Sequence, residues 1–205
     1  MDQRLPDDLR RRLATGLPGR DAQLRMAPQP RVWPSPDAIL RPAAALLLLY
    51  PHSGEWWVPL TVRASTLRHH GGQVSLPGGR LDRPDESVEE AALREAREEI
   101  GIVPGEVDVL GRLTPLPIAV SGHLLSPVIG AVEHRPAFSV AAPEVERLIE
   151  LPVTRLTHPD AVGWEQRART RPPHEEMRVP YFDVDGAHIW GATAMILAEF
   201  IALLT

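Results

Sequence analysis

Three glutamates close together in the sequence offer the side chains best suited to chemistry. Glu95, Glu98 and Glu99 are spaced i, i+3 and i+4, so on a helix they share one face. Neighbouring carboxylates on a helix repel one another by roughly a few tenths of a kcal/mol per pair. A hard divalent cation, which prefers oxygen ligands, would neutralise them. The spacing therefore predicts a metal site on one helical face, and a solvated surface helix rich in Glu and Arg is the alternative.

The flanking residues predict how this helix is held. Ser87 and Glu90 have the S-x-x-E spacing of a capping box, and Gly101 stands where a helix C-cap is expected. Upstream, Gly78 and Gly79 lack a Cβ, so the backbone can approach closely and a carbonyl there could complete a metal site. The expected unit is a glycine-rich loop followed by a helix that carries carboxylates.

Residues 79–102 resemble the signature of the Nudix hydrolase superfamily, G-x5-E-x7-R-E-U-x-E-E-x-G-U, in which U is aliphatic. The segment Arg94-Glu95-Ala96-Arg97-Glu98-Glu99-Ile100-Gly101-Ile102 fits the second half of that signature. In the first half, six residues rather than five separate Gly79 from Glu86. Either the loop is one residue longer, or Asp85 takes the first acidic position. The resemblance implies a Nudix fold, which is an α/β architecture with a mixed β-sheet sandwiched between helices.

A second resemblance lies directly before the first. Residues 59–79 are similar to the motif L-L-T-x-R-[SA]-x3-R-x3-G-x3-F-P-G-G of the coenzyme A pyrophosphatase branch of Nudix hydrolases, with Pro59 and Leu76 as departures. Residues 113–130 and 189–194 also resemble that branch, so the likeness spans roughly residues 40 to 204. It implies hydrolysis of coenzyme A or acyl-CoA to 3',5'-ADP and (acyl-)4'-phosphopantetheine.

Residue roles follow from the resemblance. Glu95, Glu98, Glu99 and the Gly79 carbonyl are expected to hold Mg²⁺ or Mn²⁺, with Glu98 as a third ligand or as the base. Arg94 is expected to orient a carboxylate, which completes a catalytic set of Glu98, Glu95 and Arg94. The general base of this superfamily can also lie outside the motif. The candidates here are Glu133, Glu144, Glu146, Glu165, Glu175 and Glu176.

Coenzyme A carries a pyrophosphate and a 3'-phosphate, so it needs cationic partners away from the metal. Arg63 and Arg68 have forked donors that suit phosphate oxygens, and pairing with a surface acid is the alternative for each. Gly72 and Gln73 complete the expected substrate-binding set. His123 is compatible with ligand contact or with simple exposure.

Two further functions stay open. One is a Nudix hydrolase for ADP-ribose, NADH or another nucleoside diphosphate derivative, which the departures at Pro59 and Leu76 keep open. The other is a non-catalytic Nudix-fold binding module, which the presence of all three helix glutamates disfavours. Homodimers are common in this superfamily, so a homodimer is one expected assembly.

Composition narrows the class of protein. The 205 residues carry a formal net charge of -5, which gives no broad basic surface for nucleic acid. There is no cysteine, which excludes disulfides and thiol catalysis and suits a reducing compartment. The N-terminus has no apolar signal core, and the longest apolar run is too short to span a bilayer. We expect a cytoplasmic protein that acts on a nucleotide-containing small molecule and not at a membrane.

Hydrophobic patterning predicts the elements. Residues 1–40 read as an N-terminal helix and a proline-rich extension, and residues 41–205 as the Nudix hydrolase domain. Helices are expected at 4–17, 144–149 and 192–204, and an extended connection at 20–42. Strands are expected at 43–50, 56–63, 107–113, 126–132 and 178–184, and a turn follows at Asp185-Gly186.

Overall fold

The computed structural model describes residues 4–65, 72–83, 86–168 and 176–205. The helices are α1 (Leu5–Thr15), α2 (Gly19–Leu24), α3 (Val88–Ile100), α4 (Val153–Leu156) and α5 (Gly191–Leu204). The strands are β1 (Arg41–His52), β2 (Glu55–Arg63), β3 (Val74–Ser75), β4 (Gly78–Arg80), β5 (Asp108–Arg112), β6 (Leu116–Ile118), β7 (His123–Ala131), β8 (Val145–Pro152), β9 (Val162–Ala168), β10 (Glu176–Val184) and β11 (Ala187–Trp190).

The main sheet is mixed and is built around β1. Its strand order is β3-β2-β1-β7-β5, with β4 also paired to β1, β6 to β7 and β8 to β2. The pairing of β1 with β7 is parallel, whereas β2 and β4 pair with β1 in antiparallel fashion. The predicted α/β class with a mixed sheet is confirmed.

Strand β1 is central because its side chains are apolar on both faces. Leu46 and Leu48 lie in the core beneath α3, and Leu47 and Leu49 lie in the core beneath α5. All four are fully buried, and each buried leucine contributes about 1.5–3 kcal/mol of hydrophobic stabilisation. The prediction of a strand buried on both faces is confirmed, and so is the prediction that the sheet lies between helices.

The predicted helix at residues 144–149 is wrong, because this segment begins β8. Ile149 pairs with Leu60 and Leu151 pairs with Val58, both on β2. The two side chains alternate with less buried neighbours, as a strand that covers a core requires. The long-range pairing with β2 therefore outweighs the local helix preference of this segment.

The N-terminal segment is partly as predicted. Helix α1 is present, and Leu9 on it is fully buried. The expected extended connection is wrong at its start, because α2 runs from Gly19 to Leu24. Gln23 on α2 is buried and donates to the carboxylate of Glu199 on α5 (2.8 Å), which fixes the helix by a tertiary contact. The division of the chain at residues 40 and 41 stays a prediction.

A small second sheet, which patterning did not predict as a separate unit, has the strand order β11-β10-β9. The predicted turn joins β10 to β11, with positive φ at Asp185 (50°) and Gly186 (79°). Thr193 of α5 donates to the Val74 carbonyl of β3 (3.1 Å), so the second sheet leads into a helix that is tied to the main sheet. Within the described ranges, no helix is long and apolar enough to cross a membrane.

Candidate active site

Helix α3 is fixed at both ends by local hydrogen bonds. The Ser87 hydroxyl accepts from the Glu90 N–H (3.1 Å), and the Glu90 carboxylate accepts from the Ser87 N–H (2.8 Å). At the other end, Gly101 has a φ of 75° and donates to the Arg97 carbonyl. The predicted capping box and C-cap are confirmed, so the register of the helix is set by its own sequence.

The helix turns an apolar face to β1, and its carboxylates run from the edge of that buried face towards solvent. Ala92, Ala96 and Ile100 are fully buried in the core beneath α3. The carboxylates differ sharply in exposure, since the side chain of Glu98 is 51% exposed and that of Glu99 only 4%. The three glutamates share one helical face, as predicted, but they do not share one environment.

Two glycines bring the backbone of β4 against β1 and α3. Gly78 pairs with Ala45, and Gly79 pairs with Ala44. A Cβ on Gly78 would lie 2.7 Å from the Ala45 Cα, and a Cβ on Gly79 would lie 2.6 Å from Glu95 Oε2. The carboxylate of Glu95 therefore rests on the Gly79 backbone, which is possible only because that residue lacks a side chain.

Arg94 organises the acidic groups around it. Its Nη1 donates to Glu95 (2.9 Å) and to Glu98 (3.3 Å), and its Nη2 donates to the Arg80 carbonyl (2.9 Å). A hydrogen bond with Glu86 is the main reason that the pKa of Arg94 is raised, and Glu95 raises it further, so the guanidinium stays charged. The arginine ties α3 to the glycine-rich strand, in accordance with the orienting role expected of it.

Glu86 holds the other side of that guanidinium. Its carboxylate accepts from Arg94 Nε (2.8 Å) and from the Asp82 N–H (2.8 Å), and the residue is buried. The hydrogen bond from Arg94 is the main reason that the pKa of Glu86 is lowered, although burial opposes it. Glu86 thus occupies a structured acidic position, and Asp85, the other candidate, lies outside the described residues.

Glu99 is a carboxylate in an unfavourable environment. Burial, together with the charges of Glu95 and Glu144, raises its pKa to about 7. The Gly78 N–H (3.3 Å) and the Arg63 guanidinium (3.9 Å) stabilise its ionised form only in part. Burial likewise raises the pKa of Glu95, against the effect of Arg94. The ionised forms of both glutamates therefore lack full compensation within the protein.

This donor set fits a divalent cation. Carboxylates and a glycine carbonyl are hard oxygen ligands, and a positive ion would favour the ionised forms of buried Glu95 and Glu99. In the described part of the chain, no three His, Asp or Glu side chains already form a group that could hold a metal ion. Arg94 Nη1 donates to Oε1 of Glu95 and to Oε2 of Glu98, so each carboxylate has a second oxygen that could bind a cation.

The expected substrate-binding residues lie next to this carboxylate group. The Arg63 N–H donates to the Gln73 carbonyl (3.0 Å), and the Gly72 N–H donates to the Arg63 carbonyl (2.9 Å). Gly72 adopts a φ of 75°, in the left-handed region that glycine tolerates best. The structure thus brings Arg63, Gly72 and Gln73 together beside Glu99. Arg68 lies outside the described residues.

The candidate bases outside the motif are in different places. Glu144 is exposed, its charge acts on Glu99, and its carbonyl accepts from the N–H of Ala64, which follows Arg63. Glu165 is engaged by Arg167 and by His188 (3.0 Å) in the second sheet. Glu133, Glu146 and Glu176 are exposed, and Glu175 lies outside the described residues. The general base could not be identified from the spacing of residues in the sequence, because only the fold brings residue 144 close to Glu99.

A family model described as the NUDIX domain matches residues 40–177, and the chain belongs to that family. It is therefore a Nudix pyrophosphohydrolase, in a family whose members generally use divalent metal ions and act on nucleotide-derived small molecules.

Curated relatives carry the same family name. The uncharacterized Nudix hydrolase NudL of Pectobacterium atrosepticum is 38% identical over 146 residues, which is 68% of this chain and 71% of that protein. The protein of the same description from Cronobacter sakazakii is 35% identical over 159 residues, with 76% and 79% covered. Among solved structures, the Nudix hydrolase RenU from M. smegmatis matches with a TM-score of 0.50 at 27% identity, over 58% of this chain and 77% of that one.

Proposed function

We propose that this hydrolase cleaves the pyrophosphate of coenzyme A or acyl-CoA, giving 3',5'-ADP and (acyl-)4'-phosphopantetheine, with Mg²⁺ or Mn²⁺. The observation that carries the hydrolytic part is the placement of Glu95 on Gly79 and of Glu99 at the Gly78 N–H. The choice of substrate rests on the resemblance of residues 59–79 to the coenzyme A pyrophosphatase motif.

In this proposal Glu95 and Glu99 hold the cation, and Glu98 and the Gly79 carbonyl complete its ligands. The cation, when bound, neutralises phosphate charge and lowers the pKa of a water molecule. Arg94 keeps Glu95 in position through its 2.9 Å hydrogen bond and remains charged throughout. Glu98 is more exposed than the other two, which suits a residue that moves between Arg94 and the cation.

We assign the general base outside the motif to Glu144. Its charge reaches Glu99, and its exposure leaves its carboxylate free to accept a proton from an attacking water. Glu98 is the alternative base. Glu144→Gln should lower kcat by about 10²–10⁴-fold if Glu144 is the base. Glu146→Gln, an exposed neighbour on β8, is the matched control and should leave kcat unchanged.

Substrate phosphates would meet Arg63, with Arg68, Gly72 and Gln73 completing that side of the site. Arg63 has a side chain that is 31% exposed and is within 3.9 Å of Glu99, so its guanidinium can serve both the protein carboxylate and a phosphate oxygen. A substrate bound there would extend from the carboxylates of α3 towards the segment between β2 and β3.

Product analysis tests the proposal. The protein would be incubated with coenzyme A, ADP-ribose and NADH, each with Mg²⁺, Mn²⁺ or chelator. Metal-dependent release of 3',5'-ADP from coenzyme A, lost in Glu99→Gln and kept in the surface variant Glu106→Gln, is the expected result. Cleavage of ADP-ribose or NADH alone would contradict the assignment of coenzyme A as the substrate but would agree with the proposed mechanism. Cleavage of none of them would overturn the proposed substrate and would favour a non-catalytic module or a substrate outside this panel.

Location and assembly belong to the proposal as well. We propose a cytoplasmic enzyme that acts without a membrane or nucleic-acid partner, and a homodimer as its assembly. Cell fractionation tests the first, and light scattering behind size-exclusion chromatography tests the second.

A further inference from the structure

Three basic side chains meet at the start of β1. The strand register pairs Arg41 with His123 on β7 and pairs Ala43 with Arg80 on β4. Directly paired residues place their side chains on the same face of a sheet, and Arg41 and Ala43 are two residues apart on one strand. Arg41, Arg80 and His123 therefore share one face, across three adjacent strands.

This face is the one opposite α3. Further along β1, Ala45 and Leu47 have the same parity as Arg41, and both belong to the core beneath α5. Arg80 nevertheless directly follows Gly79, and its carbonyl accepts from Arg94 Nη2 (2.9 Å). The backbone of Arg80 thus belongs to the carboxylate site, while its side chain lies on the other face at the same sheet edge.

The positive charges of Arg41 and Arg80 have no carboxylate partner in the part of the chain that the structure describes, since neither arginine forms an ion pair there. Arg41 Nη2 donates to a backbone carbonyl, that of Ser121 (3.2 Å). Burial lowers the pKa of His123, and the charges of Arg41 and Arg80 lower it further. Both arginines are therefore close enough to act on His123.

His123 also carries an unused polar atom. Its Nε2 is buried and has no hydrogen-bond partner among the described residues. A buried polar nitrogen without a partner is disfavoured, and so are like charges held together without a counterion. An oxyanion with several acceptor oxygens would satisfy both arginines and the imidazole at once.

We propose that Arg41, Arg80 and His123 bind a phosphate monoester of the substrate, separate from the pyrophosphate that is cleaved. The inference rests on the proposed function, in which the pyrophosphate lies at Glu95 and Glu99. Gly79 pairs with Ala44, and Arg41 lies three residues from Ala44 on the same strand, a separation of about 10 Å. The bound group must therefore be an anion about that far from the scissile pyrophosphate. A ribose 3'-phosphate is such a group, since it is a dianion on the same nucleotide as the scissile linkage but not part of it.

The cluster would then determine specificity. Nucleoside diphosphate derivatives that carry no phosphate monoester, such as ADP-ribose and NADH, would leave the two arginines without an anion and the His123 Nε2 without a hydrogen-bond partner. A substrate with the monoester would pair them. The discrimination would arise from groups on the α5 face of the sheet, whereas the chemistry takes place beside α3.

Kinetics with two substrates test the inference. The ratio of kcat/KM for coenzyme A to that for 3'-dephospho-coenzyme A would be measured for the wild type and for Arg41→Gln, Arg80→Gln and His123→Asn. Loss of a hydrogen bond to a charged group should lower this ratio by about tenfold or more in each arginine variant. Arg11→Gln, an arginine that pairs with Asp8 on α1, is the matched control and should keep the wild-type ratio.

Binding without turnover separates this inference from the proposed function. Calorimetry in chelator would compare 3',5'-ADP with 5'-AMP, and the wild type should prefer 3',5'-ADP by about tenfold or more. Arg41→Gln should lose that preference, and Arg41→Lys, which keeps the charge, should retain part of it. Thermal unfolding of each variant shows that it is folded before it is assayed.

The outcomes are distinct. Cleavage of coenzyme A with an unchanged substrate ratio in all three cluster variants would overturn the monoester site and leave the proposed function intact. Failure to cleave coenzyme A would overturn the proposed function, and the calorimetric preference would then decide the inference. Equal binding of 3',5'-ADP and 5'-AMP by the wild type would overturn the inference in either case.

Discussion

At the scale of single residues, the environment of each glutamate decides what it can do. Glu99 is almost wholly buried, while Glu98 on the same face is half exposed. Burial disfavours the charged form of a carboxylate, and an exposed carboxylate keeps its hydration. The ionised form of Glu99 therefore destabilises the metal-free protein. A bound cation would remove this destabilisation, which makes metal binding more favourable.

Removal of the Glu99 charge should therefore stabilise the metal-free protein. In chelator at pH 8, Glu99→Gln should raise the free energy of unfolding by about 1–3 kcal/mol, because a desolvated charge is removed. The variant should gain less stability than the wild type when Mg²⁺ is added. Urea denaturation with and without Mg²⁺ measures both effects. Equal stabilisation of the two proteins by Mg²⁺ would contradict the assignment of Glu99 as a ligand.

The two glycines of β4 should respond differently to alanine. In Gly78→Ala the new Cβ meets the backbone of Ala44 and Ala45, which cannot move cheaply, so stability should fall by about 1–3 kcal/mol. In Gly79→Ala it meets the carboxylate of Glu95, a flexible side chain that can swing away. We expect Gly79→Ala to lose activity with a smaller loss of stability. Urea unfolding and a turnover assay on both variants provide the measurement. A larger loss of stability in Gly79→Ala than in Gly78→Ala would contradict this explanation.

At the scale of elements, a hydrogen-bonded carboxylate on β8 connects that strand to β1. Glu150 accepts from the Tyr50 hydroxyl (2.6 Å) and from Arg135 Nε and Nη2 (both 2.7 Å). The hydrogen bonds from Arg135 are the main reason that the pKa of Glu150 is lowered. The stability that follows from a lowered pKa is present above the unfolded value of about 4.3 and is lost as the pH falls through the folded value.

Glu150→Gln should therefore cost about 1.5–3 kcal/mol at pH 7, the range for hydrogen bonds to a charged group, and less as the pH falls through the pKa of Glu150 in the folded state. The pH dependence of unfolding should become flatter below pH 5 in this variant than in the wild type. Urea unfolding between pH 3 and 7 provides the measurement, and Glu146→Gln on the same strand is the control. A loss that is the same at every pH would mean that packing, and not charge, explains the effect.

At the scale of the whole molecule, the N-terminal helices share a buried polar centre with the rest of the chain. Glu199 on α5 is fully buried and accepts from the Gly19 N–H (3.1 Å), from Gln23 Nε2 (2.8 Å) and from the N–H (3.2 Å) and hydroxyl (2.6 Å) of Thr114. A buried carboxylate is tolerated only when such donors surround it. Two of its partners belong to the segment predicted as an extension.

Deletion of residues 1–40 should accordingly destabilise the remaining chain. Each lost hydrogen bond to the Glu199 carboxylate should cost roughly 1.5–3 kcal/mol, and the core around Leu9 would be exposed. Glu199→Leu in the truncated chain should recover part of the loss, because a buried carboxylate that keeps only the Thr114 donors is then removed. Thermal unfolding of the three proteins measures this. A truncated chain as stable as the full chain would show that residues 41–205 form an independent domain.

The elements that the sequence predicted are those whose signals are local. Helix α3 was predicted with its ends because Ser87, Glu90 and Gly101 cap it through bonds within a few residues. Strand β1 was predicted because an unbroken apolar run suits a strand buried on both faces. The predictions were wrong for two segments whose secondary structure depends on distant partners. Strand β8 forms by pairing with β2, and α2 is held by contact with α5.

The same distinction holds for the candidate site. The acidic helix and the glycine pair could be predicted from the sequence, because helical spacing and the absence of a Cβ are properties of neighbouring residues. The burial of Glu99 beside Arg63, the effect of Glu144 on it, and the shared face of Arg41, Arg80 and His123 follow from the fold. These groups come from separate strands and loops, and strand register, which brings them together, depends on pairing between segments far apart in the chain.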